Sequence, residues 1–441
     1  MDSDEDPILP IRSTSSTLYQ NLKSFFSLNS SDASLNEIGW KKASTVILAV
    51  LFICGILALG LSAIIWVVYD EFDGGSRNHT TTTTTPSPTP SLKRIAGVYT
   101  SNESKDSTNV QLEKLTHALF AFIRMDENGT LYFKNEKSKN RFLSLRNKAM
   151  NETADVKLMV SIGGPNNAQF FSGVLADESR QRKFISSIIA FLKEYQAHGV
   201  DIFWKWPTES EKYVFSTFIK NLRDNLNQYL LSITVPPAGI EHHTFGFDID
   251  DLVQHVDFLN VYSMDYYGPW MNEWGTPTGP IAPLYSGVKE RENFNLDYTM
   301  QYYSSQTRRL DKFNIIIPSF VRLWKLVKDA VEPGREVYRN VILKDNMTEG
   351  DAYMSRRLAE MEGWKLTPSM WDEQSKSSFI YDPDQGTYLT FETERSLKAK
   401  MDYLKEKRFG GVWIWAVDMD DENNTVLNFI TNQNLFSSHD F

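Results

Sequence analysis

The sequence predicts an α/β fold: a TIM-type (β/α)8 barrel with an α+β insertion between strands seven and eight, preceded by a transmembrane helix. Two observations beyond residue 91 predict the barrel, because short apolar runs alternate with helical patterns there and eight such runs can be counted. This part has 350 residues, whereas a barrel of this kind needs about 250. The extra residues are best placed at 325–394, in the long stretch before the last run.

The strand candidates are residues 94–99, 117–123, 158–162, 200–204, 230–235, 258–264, 314–318 and 412–415. Two of the intervening segments carry apolar residues at helical spacing. One set lies between the third and fourth strands and the other follows the fourth: Phe184, Ile185, Ile188, Ile189, Leu192 and Tyr195, then Phe215, Phe218, Ile219, Leu222 and Leu226. We expect these amphipathic helices to cover a parallel sheet.

Composition excludes several classes of function. The chain has a formal net charge of −10 and lacks a Lys/Arg-rich run, which argues against nucleic acid as a partner. Cys54 is the only cysteine, so neither an intrachain disulfide nor a cysteine metal site can form. We therefore predict no metal and no cofactor.

Residues 46–68 form 23 consecutive uncharged, mostly apolar positions, enough to cross a hydrocarbon core of about 30 Å. A cleaved signal peptide is the alternative, but its apolar region is shorter and begins nearer the amino terminus. Lys41 and Lys42 precede the segment and acidic residues follow it, which predicts a cytosolic amino terminus. The protein is thus expected to be a single-pass type II membrane protein with an extracellular or lumenal barrel.

Four regions follow from this topology: a disordered cytosolic tail at 1–42, a signal-anchor helix at 43–69, a Thr/Pro-rich stalk at 70–91 and the barrel domain at 92–441. Six Asn-x-Ser/Thr sequons lie beyond the membrane segment and are candidates for N-glycosylation. They begin at Asn78, Asn102, Asn128, Asn151, Asn346 and Asn423.

The fourth strand carries the most informative motif, His198-Gly-Val-Asp-Ile-Phe-Trp-Lys-Trp-Pro207. Because side chains alternate along a strand, Asp201, Phe203 and Lys205 share one face. Function in such barrels lies at the carboxyl ends of the strands. We therefore expect this face to look into the barrel mouth.

Several further motifs stand in the same order as in one known family. They are Ser161-Ile-Gly-Gly164 on strand three, Met264-Asp-Tyr-Tyr267 at strand six, Arg322-x-Trp324 assigned to strand seven, and Gly410-Gly-Val-Trp-Ile-Trp415 on strand eight. With the fourth strand, they make residues 92–441 resemble glycoside hydrolase family 18, the chitinase family, with the chitinase-like members of nematodes as the nearest pattern. The resemblance implies a site for sugars built on N-acetylglucosamine.

Four departures from the family pattern imply that hydrolysis is lost. In the family a glutamic acid protonates the leaving oxygen while the substrate's acetamido group attacks the anomeric carbon. Lys205 stands at the glutamate position, and an ammonium with a reference pKa of about 10.4 is a poor proton donor. His198, Phe203 and Tyr267 replace three further aspartates, so that only Asp201 remains of five acidic positions.

The resemblance also suggests residues that could still bind carbohydrate, namely Trp415, Tyr266, Met264, Trp324 and Arg322. Three interpretations stay open. The first is a membrane-anchored pseudoenzyme that binds chitin or chitooligosaccharides without hydrolysis, and the second is an interaction scaffold with a closed cleft and an unknown protein partner. The third is a glycosidase of altered mechanism that uses Asp201 or Glu209 as its acid. If the two residues have a purely structural role, Asp201 and Lys205 form hydrogen bonds or ion pairs with buried polar groups or with each other.

Overall fold

The computed structural model describes residues 93–101, 111–152, 155–165, 167–433 and 435. The predicted tail, membrane segment and stalk lie outside this part, as do the sequons at Asn78 and Asn102. No helix among the described residues is long and apolar enough to cross a bilayer.

The strands, in chain order, are β1 (Arg94–Thr100), β2 (His117–Met125), β3 (Leu131–Tyr132), β4 (Lys157–Gly163), β5 (Gly199–Phe203), β6 (Leu230–Val235), β7 (Phe258–Val261), β8 (Phe313–Pro318), β9 (Val321–Trp324), β10 (Val327–Ala330), β11 (Arg339–Val341), β12 (Gly350–Met354), β13 (Met370–Asp372), β14 (Ser377–Asp382), β15 (Thr387–Phe391) and β16 (Gly411–Trp415). The helices are α1 (Glu136–Glu152), α2 (Phe171–Leu175), α3 (Glu178–Tyr195), α4 (Lys212–Leu226), α5 (Ile249–His255), α6 (Leu296–Ser304), α7 (Arg356–Met361), α8 (Glu394–Glu406) and α9 (Thr425–Thr431).

Eight of these strands form a closed parallel barrel. The order is β1-β2-β4-β5-β6-β7-β8-β16, and the last strand pairs with the first to close the cylinder. Both faces of these strands are covered, which is why they appear in the sequence as nearly continuous apolar runs. All eight predicted strands are confirmed. The sixth ends at Val261, three residues earlier than expected.

The two predicted cover helices are confirmed as α3 and α4, and most residues of the helical pattern are buried. In α3, Ile189 and Tyr195 are only partly buried, whereas Phe191, outside the pattern, is buried. The N-cap of α3 is Asp177, whose carboxylate accepts a hydrogen bond from the backbone N–H of Arg180. The helix ends where Gln196 adopts a left-handed conformation. A glutamine side chain does not favour that conformation, so the turn into β5 is fixed by the surrounding structure.

The insertion begins at β9, four residues before the predicted start. As a result, the predicted position of the Arg-x-Trp motif is wrong. Arg322 and Trp324 were assigned to strand seven, but they lie on β9, which pairs antiparallel with β12 and β15 in a five-stranded sheet. The barrel strand ends at Pro318, and the backbone N–H of Ser319 makes one further hydrogen bond to the neighbouring strand, to the carbonyl of Trp415 at 2.8 Å. The chain therefore leaves the barrel before the Arg-x-Trp motif.

His117, at the amino end of β2, predicts how stability depends on pH. Its Nδ1 lies 2.8 Å from the hydroxyl of Thr116, and its ring packs edge-on against Phe258 at 5.2 Å. Burial, followed by the positive charges of Arg94 and Lys157, lowers its pKa to about 4. An unfolded histidine titrates near 6.5, so the unfolded chain binds more protons between these values. This contribution to stability is complete above pH 6.5 and is lost as the pH falls towards 4.

We expect His117→Gln to flatten the dependence of the unfolding midpoint on pH between 6.5 and 4, measured by urea denaturation of the purified protein at several pH values. His242→Gln is the matched control, because His242 lies on the surface. An unchanged slope in the His117 variant would contradict the assignment.

Candidate functional site at the barrel mouth

Asp201, in the middle of β5, is sealed inside the barrel. It is 0% exposed, and its carboxylate accepts hydrogen bonds from Ser161 Oγ at 2.7 Å, Ser232 Oγ at 2.8 Å, Thr234 Oγ1 at 3.0 Å and Asn260 Nδ2 at 3.1 Å. Burial raises its pKa, and these four donors oppose that rise. Asp201 is therefore a partner of buried polar groups, and those groups are hydroxyls and an amide, not Lys205.

The hydrogen bonds of Asp201 continue across the barrel interior. Asn260 accepts from Asn314 Nδ2 at 2.9 Å, and Asn314 accepts from Arg94 Nε at 2.9 Å. We call this chain of contacts, from Ser161 through Asp201 to Arg94, the interior network. The interior network joins residues on β4, β5, β6, β7, β8 and β1. Asp201 therefore helps to hold the barrel strands together.

Phe203 covers the mouth side of Asp201 and is itself 0% exposed. Its ring lies 5.4 Å from Trp206, 5.6 Å from Tyr262, 5.7 Å from Phe122 and 6.3 Å from Trp415, between ring centroids. We call these five rings the mouth cluster. Spacings of this kind are typical of favourable edge-to-face and tilted aromatic pairs. The space next to Trp415 is therefore filled by the protein's own side chains, and Trp415 is only 8% exposed.

Lys205 follows β5 at the rim and is partly buried. Its Nζ lies 5.2 Å from the centroid of the Tyr262 ring, a cation–π contact. Its ammonium makes no hydrogen bond or ion pair with any residue that the structure describes. Burial lowers its pKa and the nearby Arg322 adds to this effect, whereas Asp265 opposes it. The salt bridge that the sequence suggested for Lys205 is not found among the described residues.

Asp265 is a rim residue that the sequence analysis did not single out. Its carboxylate accepts from the hydroxyls of Tyr262 at 2.6 Å and Tyr353 at 3.1 Å, and from the guanidinium of Arg322. Burial alone would raise its pKa, but the charges of Arg322 and Lys205 outweigh it and lower the pKa. The sequence signal was a carboxylate just beyond a barrel strand, but two of its three donors, Arg322 and Tyr353, lie far away in the chain.

The five carbohydrate-binding candidates are all buried and do not meet at one open surface. Met264 lies in the barrel interior beside the mouth cluster. Tyr266 and Trp324 instead pack into the core of the insertion, where the Tyr266 hydroxyl lies 2.6 Å from Thr299 Oγ1 and Trp324 Nε1 donates to the Gly275 carbonyl at 2.9 Å. Arg322 is fully buried, stacked under Trp270 at 4.6 Å and bound to Asp265. In this structure, Trp415 is the candidate that comes nearest to an open ring face.

The remaining motif positions lie away from the mouth or point away from it. His198 precedes β5, at the opposite end of the barrel, and its Nδ1 accepts from the backbone N–H of Leu158 at 3.1 Å. The Tyr267 hydroxyl donates to the carbonyl of Arg291 at 3.3 Å, inside the insertion core. Glu209 lines a groove of about 800 Å³ on the outer side of α4. No group of metal-ligating side chains is found in the part of the chain that the structure describes.

A closed eight-stranded parallel barrel with an α+β insertion after its seventh strand places this chain among TIM-barrel proteins whose sites lie at the carboxyl ends of the strands. The sequence model of glycosyl hydrolases family 18 matches residues 94–420, and the chain belongs to that family.

Individual relatives agree with this assignment. The chain is 27% identical to a probable endochitinase of Caenorhabditis elegans over 331 residues, 70% of this chain and 52% of that protein. It is 24% identical to human Chitinase-3-like protein 2 over 320 residues, 69% of this chain and 80% of that protein. The chain thus spans about half the length of the nematode relative. The fold of YKL-39, determined in the presence of chitooligosaccharides, superposes with a TM-score of 0.67 at 19% identity, covering 78% of this chain and all of that one.

The interior network predicts that Asp201→Ala will be strongly destabilising, because it leaves several buried donors without an acceptor. We expect a loss of about 3 kcal/mol in the free energy of unfolding, against about 1 kcal/mol for Ser161→Ala, which removes a single donor. Urea denaturation at neutral pH measures both. A loss below 1 kcal/mol for Asp201→Ala would show that the carboxylate does not hold the strands together.

Proposed function

We propose that the protein is a membrane-anchored, non-hydrolysing member of family 18 that binds glycans containing N-acetylglucosamine at the barrel mouth. One observation carries the loss of hydrolysis: the described residues around Trp415 offer no carboxyl group able to donate a proton. Lys205 occupies the rim position that follows β5. Asp201 lies beneath Phe203, and Asp265 is held ionised by Arg322.

A glycosidase of altered mechanism has little support from this geometry. Asp201 has all its oxygens engaged and is 0% exposed, so it cannot reach a glycosidic oxygen. Glu209 is exposed on the outer side of α4 and does not contact the mouth cluster. Neither residue named as an alternative acid is therefore placed to act on a sugar beside Trp415.

Binding without hydrolysis is supported by the partly exposed rings at the rim and by the relatives. Phe122 and Trp206 flank the mouth and keep part of their surface open. Aromatic rings pack well against the apolar faces of sugars. The structural neighbour YKL-39 was solved in the presence of chitooligosaccharides. We infer a shallow rim site, because the deeper position against Trp415 is occupied by Phe203 and its neighbours.

The burial of Trp415 also favours a second candidate, an interaction scaffold whose cleft is closed. Phe203 lies 5.4–6.3 Å from the other rings of the mouth cluster, between ring centroids. These rings therefore pack against one another and need no ligand to cover them. Titration with chitooligosaccharides separates the two candidates. Saturable binding supports the glycan site, and no heat of binding at millimolar ligand favours the scaffold.

We expect Lys205→Glu alone to leave the protein inactive against a fluorogenic chitobioside. The restored acid would lack its partners, because Phe203 stands where the family has an acetamido-orienting carboxylate and the Tyr267 hydroxyl is engaged with Arg291. Lys205→Gln is the control for folding and for background hydrolysis. Release of the fluorophore by the single Lys205→Glu variant, above that control, would refute our account of how activity was lost.

We further propose a type II topology with the barrel outside the cytosol, at the Golgi or the cell surface. The sequons that the structure describes support this proposal, because Asn128, Asn151, Asn346 and Asn423 are all exposed. A glycan attached at these positions would project into solvent without disturbing the packing of the barrel.

Glycosidase treatment of the cell-expressed protein tests the topology. We expect peptide-N-glycosidase to increase its electrophoretic mobility, and replacement of Asn128, Asn151, Asn346 and Asn423 by Gln to remove most of that shift. Protease added to intact vesicles should digest a tag at the amino terminus and spare the barrel. A protected amino terminus together with an unglycosylated barrel would contradict the topology.

A further inference from the structure

We propose that the barrel mouth selects glycans that carry an acidic substituent, a carboxylate or a sulfate, and that Lys205 binds this group. The inference rests on the proposed function, since it names the class of sugar that the same rim site takes. Its basis is an ammonium at the mouth that forms no ion pair with any described carboxylate.

Lys205 is held at the rim by contacts that do not neutralise it. The Tyr262 ring lies 5.2 Å from Nζ and offers only its electron-rich face. No described carboxylate forms an ion pair with this ammonium. Lys205 is partly buried, so water screens the charge of its ammonium incompletely. A charged group in such a position attracts an anion more strongly than a lysine on the open surface.

Asp265, the nearest carboxylate, is already satisfied by other donors. Tyr262 and Tyr353 donate to Oδ2, and the Arg322 guanidinium binds Oδ1. Lys205 and Arg322 together carry two positive charges and Asp265 carries one negative charge, which leaves one net positive charge in the group. Because Asp265 and Arg322 bind each other directly, that excess charge resides at Lys205.

The surroundings of Lys205 suit a sugar better than a free anion. Trp206 is the next residue and is partly exposed, and its ring packs against Phe203 at 5.4 Å and Tyr262 at 5.7 Å. Phe122, on the other side of Phe203, is also partly exposed. A sugar ring lying against these aromatic faces would bring an acidic substituent towards the ammonium. The aromatic contact and the charge-assisted hydrogen bond would act together.

Three tetrasaccharide probes test the inference on the full-length protein in detergent, by isothermal titration calorimetry at low and physiological salt. One is neutral N-acetylchitotetraose, the second alternates N-acetylglucosamine with glucuronate, and the third is sulfated N-acetylchitotetraose. We expect at least one acidic probe to bind about tenfold or more tightly than the neutral probe, because a hydrogen bond to a charged group typically contributes that much. The preference should shrink as salt is raised.

Lys205→Gln should remove the acidic preference, measured as the ratio of the affinities for the acidic and neutral probes. Lys220→Gln is the matched control, because it removes one positive charge from the exposed outer side of α4. It should retain the preference. The salt dependence of the unmodified protein gives a measurement that does not rely on any variant. Preference for the glucuronate or the sulfated probe alone supports the inference and identifies the acidic group.

The outcomes distinguish this inference from the proposed function. Equal binding of neutral and acidic probes would overturn the inference while glycan binding stands. An acidic preference that survives Lys205→Gln would overturn the role of Lys205. Failure of all three probes to bind would overturn both and leave the closed scaffold.

Discussion

The buried carboxylate of Asp201 is the constraint on which the barrel interior depends. A charge in this position is costly to bury, and four donors from three neighbouring strands offset that cost. Hydrogen bonds from Asn314 to its partner Asn260, and from Arg94 to Asn314, extend the interior network. The residue that looks in the sequence like the last remnant of a catalytic motif is thus required for the packing of the strands. Its presence implies nothing about activity.

Phe203 divides the fourth strand into two environments. Asp201 and Lys205 have opposite charges, but Asp201 lies within β5 whereas Lys205 stands two residues beyond its end. Four residues of extended chain span about 13 Å. The Phe203 ring fills the interval, together with Tyr262 and Trp415. The two charges therefore cannot pair. The carboxylate belongs to the interior network, and the ammonium belongs to the rim.

The barrel could be predicted from the sequence because strands covered on both faces are continuous apolar runs, and because α3 and α4 keep a clear helical pattern. The start of the insertion could not, since the run from β8 to Trp324 contains no strong turn signal beyond Pro318. The role of Asp265 at the rim could not be predicted either, because its donors Arg322 and Tyr353 are 57 and 88 residues away along the chain. The cover over Trp415 likewise comes from Phe122, Phe203 and Tyr262, on three different barrel segments.

A lysine at the rim position after β5 differs from a carboxylic acid in more than the supply of a proton. A protonated carboxyl group is neutral when it donates, whereas an ammonium brings a full charge to the same rim. Asp265 makes no ion pair with that ammonium, since Arg322 and two tyrosine hydroxyls already occupy its oxygens. The aromatic rings nearby supply no formal charge either. Lys205 is therefore a cation at the mouth without an ion pair among the described residues, although the chain as a whole carries a net charge of −10. On our proposal, the residue that stands in place of the family's acid also determines which charge the mouth attracts.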